Sequence, residues 1–422
     1  MPLGNHIIVG ANLAGGRAAE ALREGGFDGP IILIGAELDR PYERPPLSKG
    51  YLRRETPEEE LYLRPQNYYE EHQIQLRVGV QAVHLDAGAR TVELATGERL
   101  PYEKLLIATG CEVRRLSIPG ADLSGVCYLR TRAESAEVAA RLEKAQRIVV
   151  VGAGFIGSEV AASARSLGKE VTVLVAGRVP LARALGTSMG KVCETIHRDH
   201  GVDLRLSSRA KEFRGAAEVE EVALTDGTTV PCDLVVVGVG VDPSVGWLKD
   251  SALALENGVV VNEYSETNLP GVYAAGDVAN AWNPLLGERL RVEHYDNAQN
   301  HGIATGKVMA GMREAYAPVP YFWSDQYEYT LQYVGHGRDD DEIVVRGDVA
   351  KRSFTAFYVR DGRVRAAFAI GRPRDVMAAR RIIRAARRVN PNLLSDEQTD
   401  LRALSHREAD GDRAAPSMGS KT

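Results

Sequence analysis

Short apolar runs that stop at a glycine and hand over to helices of small residues recur along the chain. The first, "IIVGANLAGG" at 7–16, is a run of β-formers, predicted as a strand over His6–Val9, that breaks into a glycine-rich turn and a helix. The second, "RIVVVGAGFIGSEVAASARSLGKEVTVLVAGR" at 147–178, reads as strand, turn, helix and strand, with Ala161, Ala162 and Ala164 small enough for close packing on a sheet. Each unit is followed by a turn, a strand and a glycine-terminated apolar strand, "VELATGERLPYEKLLIATG" (92–110) and "VALTDGTTVPCDLVVVGVG" (222–240). The turn glycine (Gly97, Gly227), a proline (Pro101, Pro231) and the closing glycine (Gly110, Gly240) fall at the same offsets in both. A whole domain is therefore repeated, and the predicted fold class is α/β with two Rossmann-like nucleotide-binding domains.

In the second copy Gly152, Gly154 and Gly157 fill the three positions of the G-x-G-x-x-G fingerprint. In the first copy Asn12 stands where the second glycine lets the backbone close on a pyrophosphate. Asparagine tolerates positive φ better than other non-glycine residues and its amide can donate to a phosphate oxygen, so the site is expected to bind a dinucleotide still, more loosely. A further strand predicted over 272–275 stops at Gly276 and presents Asp277 at its carboxyl end, where ligands of open α/β sheets sit. Alone, that segment is also compatible with a turn carrying a capping aspartate.

The C-terminal part has a different texture. A hairpin is predicted over 357–370, turned by Asp361 and Gly362. The segment 372–390 is predicted as a helix whose Val376, Ala379, Ile383 and Ala386 face a core, leaving Arg380, Arg381, Arg384, Arg387 and Arg388 in solvent. From 405 to 422 the chain is polar, with little to bury, and is expected to be disordered.

Composition narrows the function classes. At 422 residues, 44% hydrophobic and 26% charged, the chain can hold two or three domains with substantial cores. A net charge of −5 argues against a general nucleic-acid binder. No apolar run approaches membrane-spanning length and no basic-then-apolar leader precedes the first strand, so no membrane association and a cytoplasmic location are expected. Cys111, Cys127, Cys193 and Cys232 form no C-x-x-C, which predicts buried, reduced thiols and no metal site.

With the two Rossmann units and "IATG" at 107–110, the Asp277 segment resembles the flavoprotein pyridine nucleotide–disulfide oxidoreductase superfamily, whose architecture is glutathione reductase-like. The stretches "RPYERPPLSKGYLR" (40–53), "YLRT" (128–131), "RVEHYDNAQNHG" (291–302) and "YFWSDQYEYTLQYVG" (321–335) are similar to those of the putidaredoxin reductase-like ferredoxin reductases of bacterial oxygenase systems. The resemblance runs from about residue 5 to about 403. It implies an FAD-binding domain from 1–115 and 241–318, an NAD(P)H-binding domain at 116–240 and an α+β domain at 319–404. It implies FAD and NADH, with NADPH possible, as cofactors, an iron–sulfur ferredoxin as partner, and indirectly an oxygenase such as a cytochrome haem monooxygenase.

Residue by residue, the resemblance puts Gly10, Asn12 and Ala14 at the FAD pyrophosphate and Glu37 at the adenosine ribose. It puts Arg44, Lys49, Ala82, Thr109, Gly110, Arg130, Gly276, Asp277, Glu293, His294, Tyr295 and Trp323 around the flavin nucleotide. Gly152, Gly154, Phe155, Ile156, Gly157, Glu159, Gly238 and Gly240 match positions at the nicotinamide nucleotide. Lys49 and Glu159 are the implied electrostatic and positioning residues of the reaction; the plainer readings are a solvated lysine after a Pro-Pro turn and a surface glutamate favoured by a helix dipole. Val175 stands where NAD-specific units carry an acid for the ribose 2′-OH, with Arg178 and Arg183 following, so discrimination against NADPH is expected to be poor. The arginines of 372–390 form a candidate docking surface for an acidic ferredoxin. Two other activities compete: a disulfide or peroxide reductase of the same fold, which needs a redox cysteine that "ERPPLSKGYL" lacks, and a redox scaffold like apoptosis-inducing factor.

Overall fold

The computed structural model describes residues 4–405, so all but Ser405 of the predicted polar tail lies outside the described residues. Two five-stranded parallel sheets carry the repeat. The first is ordered Val272–Ala274, Lys104–Ile107, His6–Val9, Ile31–Ile34, Ile74–Arg77, and the second Val126–Tyr128, Leu234–Val237, Arg147–Val151, Glu170–Val175, Asp203–Leu206. Their central strands, HIIV and RIVVV, are almost wholly buried because helices cover one face and a three-stranded meander the other, which is why they read as continuous apolar runs rather than alternating ones.

The two copies agree beyond strand order. Each has an antiparallel three-stranded meander, Ala82–Asp86, Thr91–Leu94, Arg99–Pro101 and Ala210–Arg214, Glu221–Leu224, Thr229–Pro231, with a register shift at the start of its first strand, between Ala82 and His84 and between Ala210 and Glu212. They differ in the outermost strand: Val272–Ala274 comes to the first sheet from after the second unit, whereas Val126–Tyr128 enters the second sheet ahead of its fingerprint. Cys111–Val113 and Val241–Pro243 pair antiparallel where the chain passes from one unit to the other and back.

The C-terminal part is a five-stranded antiparallel sheet, ordered Tyr321–Gln326, Tyr329–Gly335, Arg363–Ile370, Ser353–Arg360, Glu342–Asp348. Asp361 and Gly362 both take positive φ in the predicted two-residue hairpin turn. One face, with Phe354, Tyr358 and Phe368, packs on Leu185, Met189 and Ile196 of the helix Ala182–Asp199 in the second unit. Full burial of each of these rings stabilises the fold by roughly 1.5–3 kcal/mol.

The other face is covered by the helix Pro373–Ala385, which buries Val376, Ala378, Ala379, Ile382 and Ile383. Here the sequence expectation needs correction. Ala386 is exposed and takes φ 51°, the left-handed residue that ends the helix, so it faces no core, and Arg387 and Arg388 lie past the helix end. The apolar rhythm was right for two turns and ran on after the backbone had stopped.

Candidate active site

Both glycine-rich turns sit at the carboxyl ends of the central strands. Gly10 has φ +118° and a Cβ there would lie 2.1 Å from the Ala108 carbonyl oxygen; Gly152 has φ +105° and a Cβ would lie 2.2 Å from that of Gly238. The first position of the fingerprint thus admits only glycine in both copies. The second does not behave the same way. Asn12 is extended (φ −126°, ψ −154°) as the residue before the helix Leu13–Glu24, and its side chain makes no capping bond. Its counterpart Gly154 has φ −79°, with open space where a Cβ would stand.

Tolerance of positive φ is therefore not what admits Asn12; the counterpart position has open space, and a side chain there would compete with a ligand at the helix N-terminus, where backbone N–H groups favour an anion. Asn12→Gly is expected to tighten FAD by about threefold by removing a side chain from the pyrophosphate's approach. Titration of apoprotein reads this out, and a clear loss of affinity would show that the amide makes a needed contact. The third fingerprint position is Gly15, where a Cβ would lie 1.9 Å from the Gly10 carbonyl oxygen, as at Gly157 against Gly152. Sequence reasoning named Ala14 instead; subtracting the 10-to-152 offset from Gly157 would have found Gly15.

Around the first unit's strand ends the structure gathers most of the residues implied for the flavin. Asp277 pairs with Arg130 at 3.1 Å and is 12% exposed. The Thr131–Glu134 capping box of the helix Arg132–Lys144 pins Arg130, whose own N–H donates to Glu134. Gly276 N–H donates to His301 Nδ1, so the other nitrogen carries the proton and meets Ser265 Oγ at 3.0 Å. Gly110, at φ +64°, lies against the Arg130 guanidinium, and Thr109 Oγ1 donates to the Ser244 carbonyl. Arg44 pairs with Glu37 at 2.5 Å and also donates to the Arg130 carbonyl, while the Tyr42 hydroxyl donates to the other Glu37 oxygen. Ala82 is in the core, so only its backbone is available to a ligand. Glu293 is half exposed and paired with Arg291.

His294 packs on Phe322 with its Nδ1 buried and without a partner; burial pulls its pKa down to about 4, so it is a neutral imidazole. Tyr295 donates to Glu43 and meets Trp323 edge-on at 5.6 Å.

The sharpest feature joins the units. A 3₁₀ turn at Pro45–Ser48, begun by two prolines, delivers Lys49, whose Nζ lies 2.9 Å from Glu159 Oε2. Glu159, on the helix Phe155–Ser166, is 3% exposed, so neither residue is the solvated side chain of the plainer reading. Ser48 Oγ donates to the same oxygen and Ser324 Oγ to the other at 2.7 Å. Sequence reasoning passed over both serines, although "PLSK" and "FWSD" each place a hydroxyl beside an implied flavin residue.

On the nicotinamide side Phe155 meets Phe322 edge-on at 4.4 Å and Ile156 is exposed. Gly238 sits against the backbone of Gly157, and Gly240 takes φ +105°. Val175 is buried at the end of Glu170–Val175, and Arg178 and Arg183 are exposed beyond it. All four cysteines are buried; burial pushes the Cys111, Cys193 and Cys232 thiols up to about 12 and Cys127 to about 11, the reverse of a reactive thiolate. Of the predicted docking residues, Arg381 and Arg384 project from the helix into solvent, and Arg380 leans to within 4.0 Å of Asp296, next to Tyr295.

These features fit two dinucleotides. Arg130 Nε and His294 Nδ1 are buried polar atoms lacking a protein partner, both turns lead into helix N-termini, and Gly154 has open space where a Cβ would stand. Among the described residues no group of three His, Cys, Asp or Glu could hold a metal ion, and no helix is long and apolar enough to cross a membrane.

Comparison with known proteins agrees with this geometry. Residues 4–302 match the pyridine nucleotide-disulphide oxidoreductase family and residues 321–405 the reductase C-terminal family. The chain is 39% identical over 405 residues to rhodocoxin reductase of Rhodococcus erythropolis, covering 96% of this chain and 95% of that one. It is 40% identical over 411 residues to the ferredoxin reductase subunit of the 5,5'-dehydrodivanillate O-demethylase of a Sphingobium species, covering 96% and 99%. Among solved structures, the covalent putidaredoxin reductase–putidaredoxin complex superposes with a TM-score of 0.91 at 34% identity, covering 96% of this chain and 98% of that one.

Proposed function

The chain belongs to the pyridine nucleotide-disulphide oxidoreductase family, and from that premise we propose that it is the NAD(P)H-dependent, FAD-containing ferredoxin reductase of an oxygenase system. The observation that carries this reading is the buried Lys49–Glu159 ion pair, which sets a cation of the flavin unit against a carboxylate of the nicotinamide unit. FAD, when bound, supplies a centre that accepts a hydride from NAD(P)H and releases electrons singly to an iron–sulfur protein. Lys49, largely shielded from water, would place positive charge beside the bound ring, where reduction adds negative charge. Glu159 holds Lys49 and would border the nicotinamide. Asp277 and Arg130 would hold the ribityl and ring end, and the fingerprint helices would receive the two pyrophosphates. With buried, protonated thiols, the protein contributes no sulfur nucleophile to the reaction.

Reduction of bound flavin by NADH within milliseconds to seconds, followed by cytochrome c reduction that depends on an added [2Fe–2S] or [3Fe–4S] ferredoxin, is the expected result. Flavin that NADH fails to reduce, or turnover indifferent to any ferredoxin, would sink the proposal.

The nicotinamide choice follows from Val175. With no carboxylate at that strand end to repel a 2′-phosphate, and Arg178 and Arg183 nearby, we expect NADH to be preferred over NADPH by no more than about a hundredfold in kcat/KM. A preference of several orders of magnitude would contradict the Val175 argument.

For the partner, we assign the exposed face of Pro373–Ala385. Arg381 and Arg384 form a basic patch on a chain of net charge −5, and Arg380 brings that face beside Tyr295 and Trp323. Complementary charge speeds encounter with an acidic ferredoxin. The double change Arg381→Glu, Arg384→Glu should slow ferredoxin reduction by about tenfold at low salt and flatten its salt dependence. Ferricyanide, which needs no docking, should be reduced as before. Equal ferredoxin kinetics in variant and parent would return this helix to an ordinary solvated face. We place the enzyme in the cytoplasm, where its nicotinamide supply is found.

A further inference from the structure

The strand Tyr321–Gln326 turns Phe322, Ser324 and Gln326 inward, and this face lies along the helix Phe155–Ser166 of the nicotinamide unit. Phe322 meets Phe155; two residues on, Ser324 meets Glu159, four residues on in the helix. Two strand residues advance about 6.8 Å and four helical residues about 6 Å, so strand and helix stay in step over these two pairs. Ser324 is fully buried and Glu159 nearly so. Gln326 Nε2 donates to Ser324 Oγ at 3.1 Å, which commits the serine's only proton to Glu159 Oε1. The other carboxylate oxygen receives Ser48 and Lys49.

We infer that Ser324 is a positioning residue for hydride transfer: the C-terminal domain supplies a hydroxyl, oriented by Gln326, that holds the Glu159 carboxylate in the rotation that meets Lys49. The C-terminal domain then has a part in the nicotinamide half-reaction as well as in any partner docking. This rests on the proposed role of Glu159.

The test uses the FAD-loaded protein and the variants Ser324→Ala and Ser324→Thr, each also made with Glu159→Gln. Ser324→Ala should slow the first-order reduction of flavin by NADH about tenfold with little change in NADH affinity, because one buried carboxylate oxygen loses its donor. Ser324→Thr, which keeps the hydroxyl, should recover to within about threefold of the parent. With Glu159→Gln present, Ser324→Ala should have less than about a twofold effect, since coupled residues are not additive. A readout free of turnover is hydrogen exchange in apoprotein, where amides over 156–160 should exchange faster in Ser324→Ala and as in the parent in Ser324→Thr.

If Ser324→Ala fails to fold, Gln326→Leu, which frees the serine's proton to turn away, should slow reduction about threefold. An unslowed Ser324→Ala, a Ser324→Thr as slow as alanine, or the same loss with Glu159→Gln present would each overturn the inference while leaving the proposed function intact. A parent whose flavin NADH does not reduce would overturn the proposed function and the inference with it.

Discussion

Asp277→Ala should purify almost without colour, its FAD affinity lowered by a factor of about 100 to 1,000, or about 3–4 kcal/mol. Two losses add. The side chain is an acceptor at a strand end where the ribityl hydroxyls are expected, and it is the carboxylate facing Arg130, whose Nε is already buried without a partner. Removing one member of this largely enclosed pair leaves the other charge short of its counter-charge in a site that bound flavin would close further. Asp277→Asn keeps an acceptor but loses the charge, and its affinity should fall between that of alanine and the parent. Flavin fluorescence on titrating apoprotein measures all three. An Asp277→Ala protein within fivefold of the parent would remove Asp277 from the flavin site.

Gly152→Ala should do the converse, keeping its FAD while kcat/KM for NADH falls by a factor of about 100 or more, equivalent to about 3 kcal/mol of transition-state stabilisation. An alanine there must hold φ near +105° with its Cβ 2.2 Å from the Gly238 carbonyl, so the strand end or the turn has to move. That turn carries the helix N-terminus proposed to meet the nicotinamide pyrophosphate, and it lies in the second sheet, apart from the flavin contacts of the first. Flavin content and ferricyanide reduction by NADH together test this. Loss of flavin in Gly152→Ala would show that the two units do not work as separable sites, and unchanged kinetics would show that the turn does not receive the nucleotide.

Much of this molecule was legible as local pattern. Buried parallel strands show as unbroken apolar runs, a fingerprint glycine is dictated by a carbonyl close by, and the Asp361–Gly362 turn needs only its own two residues. The repeat was visible because both copies impose the same turn chemistry at the same offsets, and the structure adds a register shift at the matching place in each meander. Where the reading went astray, the signal was local but the deciding contact was not. Ala386 continues an apolar rhythm, yet the backbone leaves the helix there. Asn12 looked like a conformational exception, and its backbone proves to be ordinary extended chain.

The sequence by itself determined two Rossmann-like units and the absence of the C-x-x-C pattern a thiol mechanism would favour, since each follows from residue types at short spacing. Only the tertiary structure decided what Glu159 is. Its partners Ser48, Lys49 and Ser324 stand 111, 110 and 165 residues away in the chain, on other elements of the fold. No periodicity links positions so far apart, and a glutamate just past a helix's first turn, where Glu159 stands, is usually a solvated one. It is the packing of three domains on one helix that removes water from this carboxylate, and a buried carboxylate must then take its hydrogen bonds and its counter-charge from whatever side chains the domains bring to it.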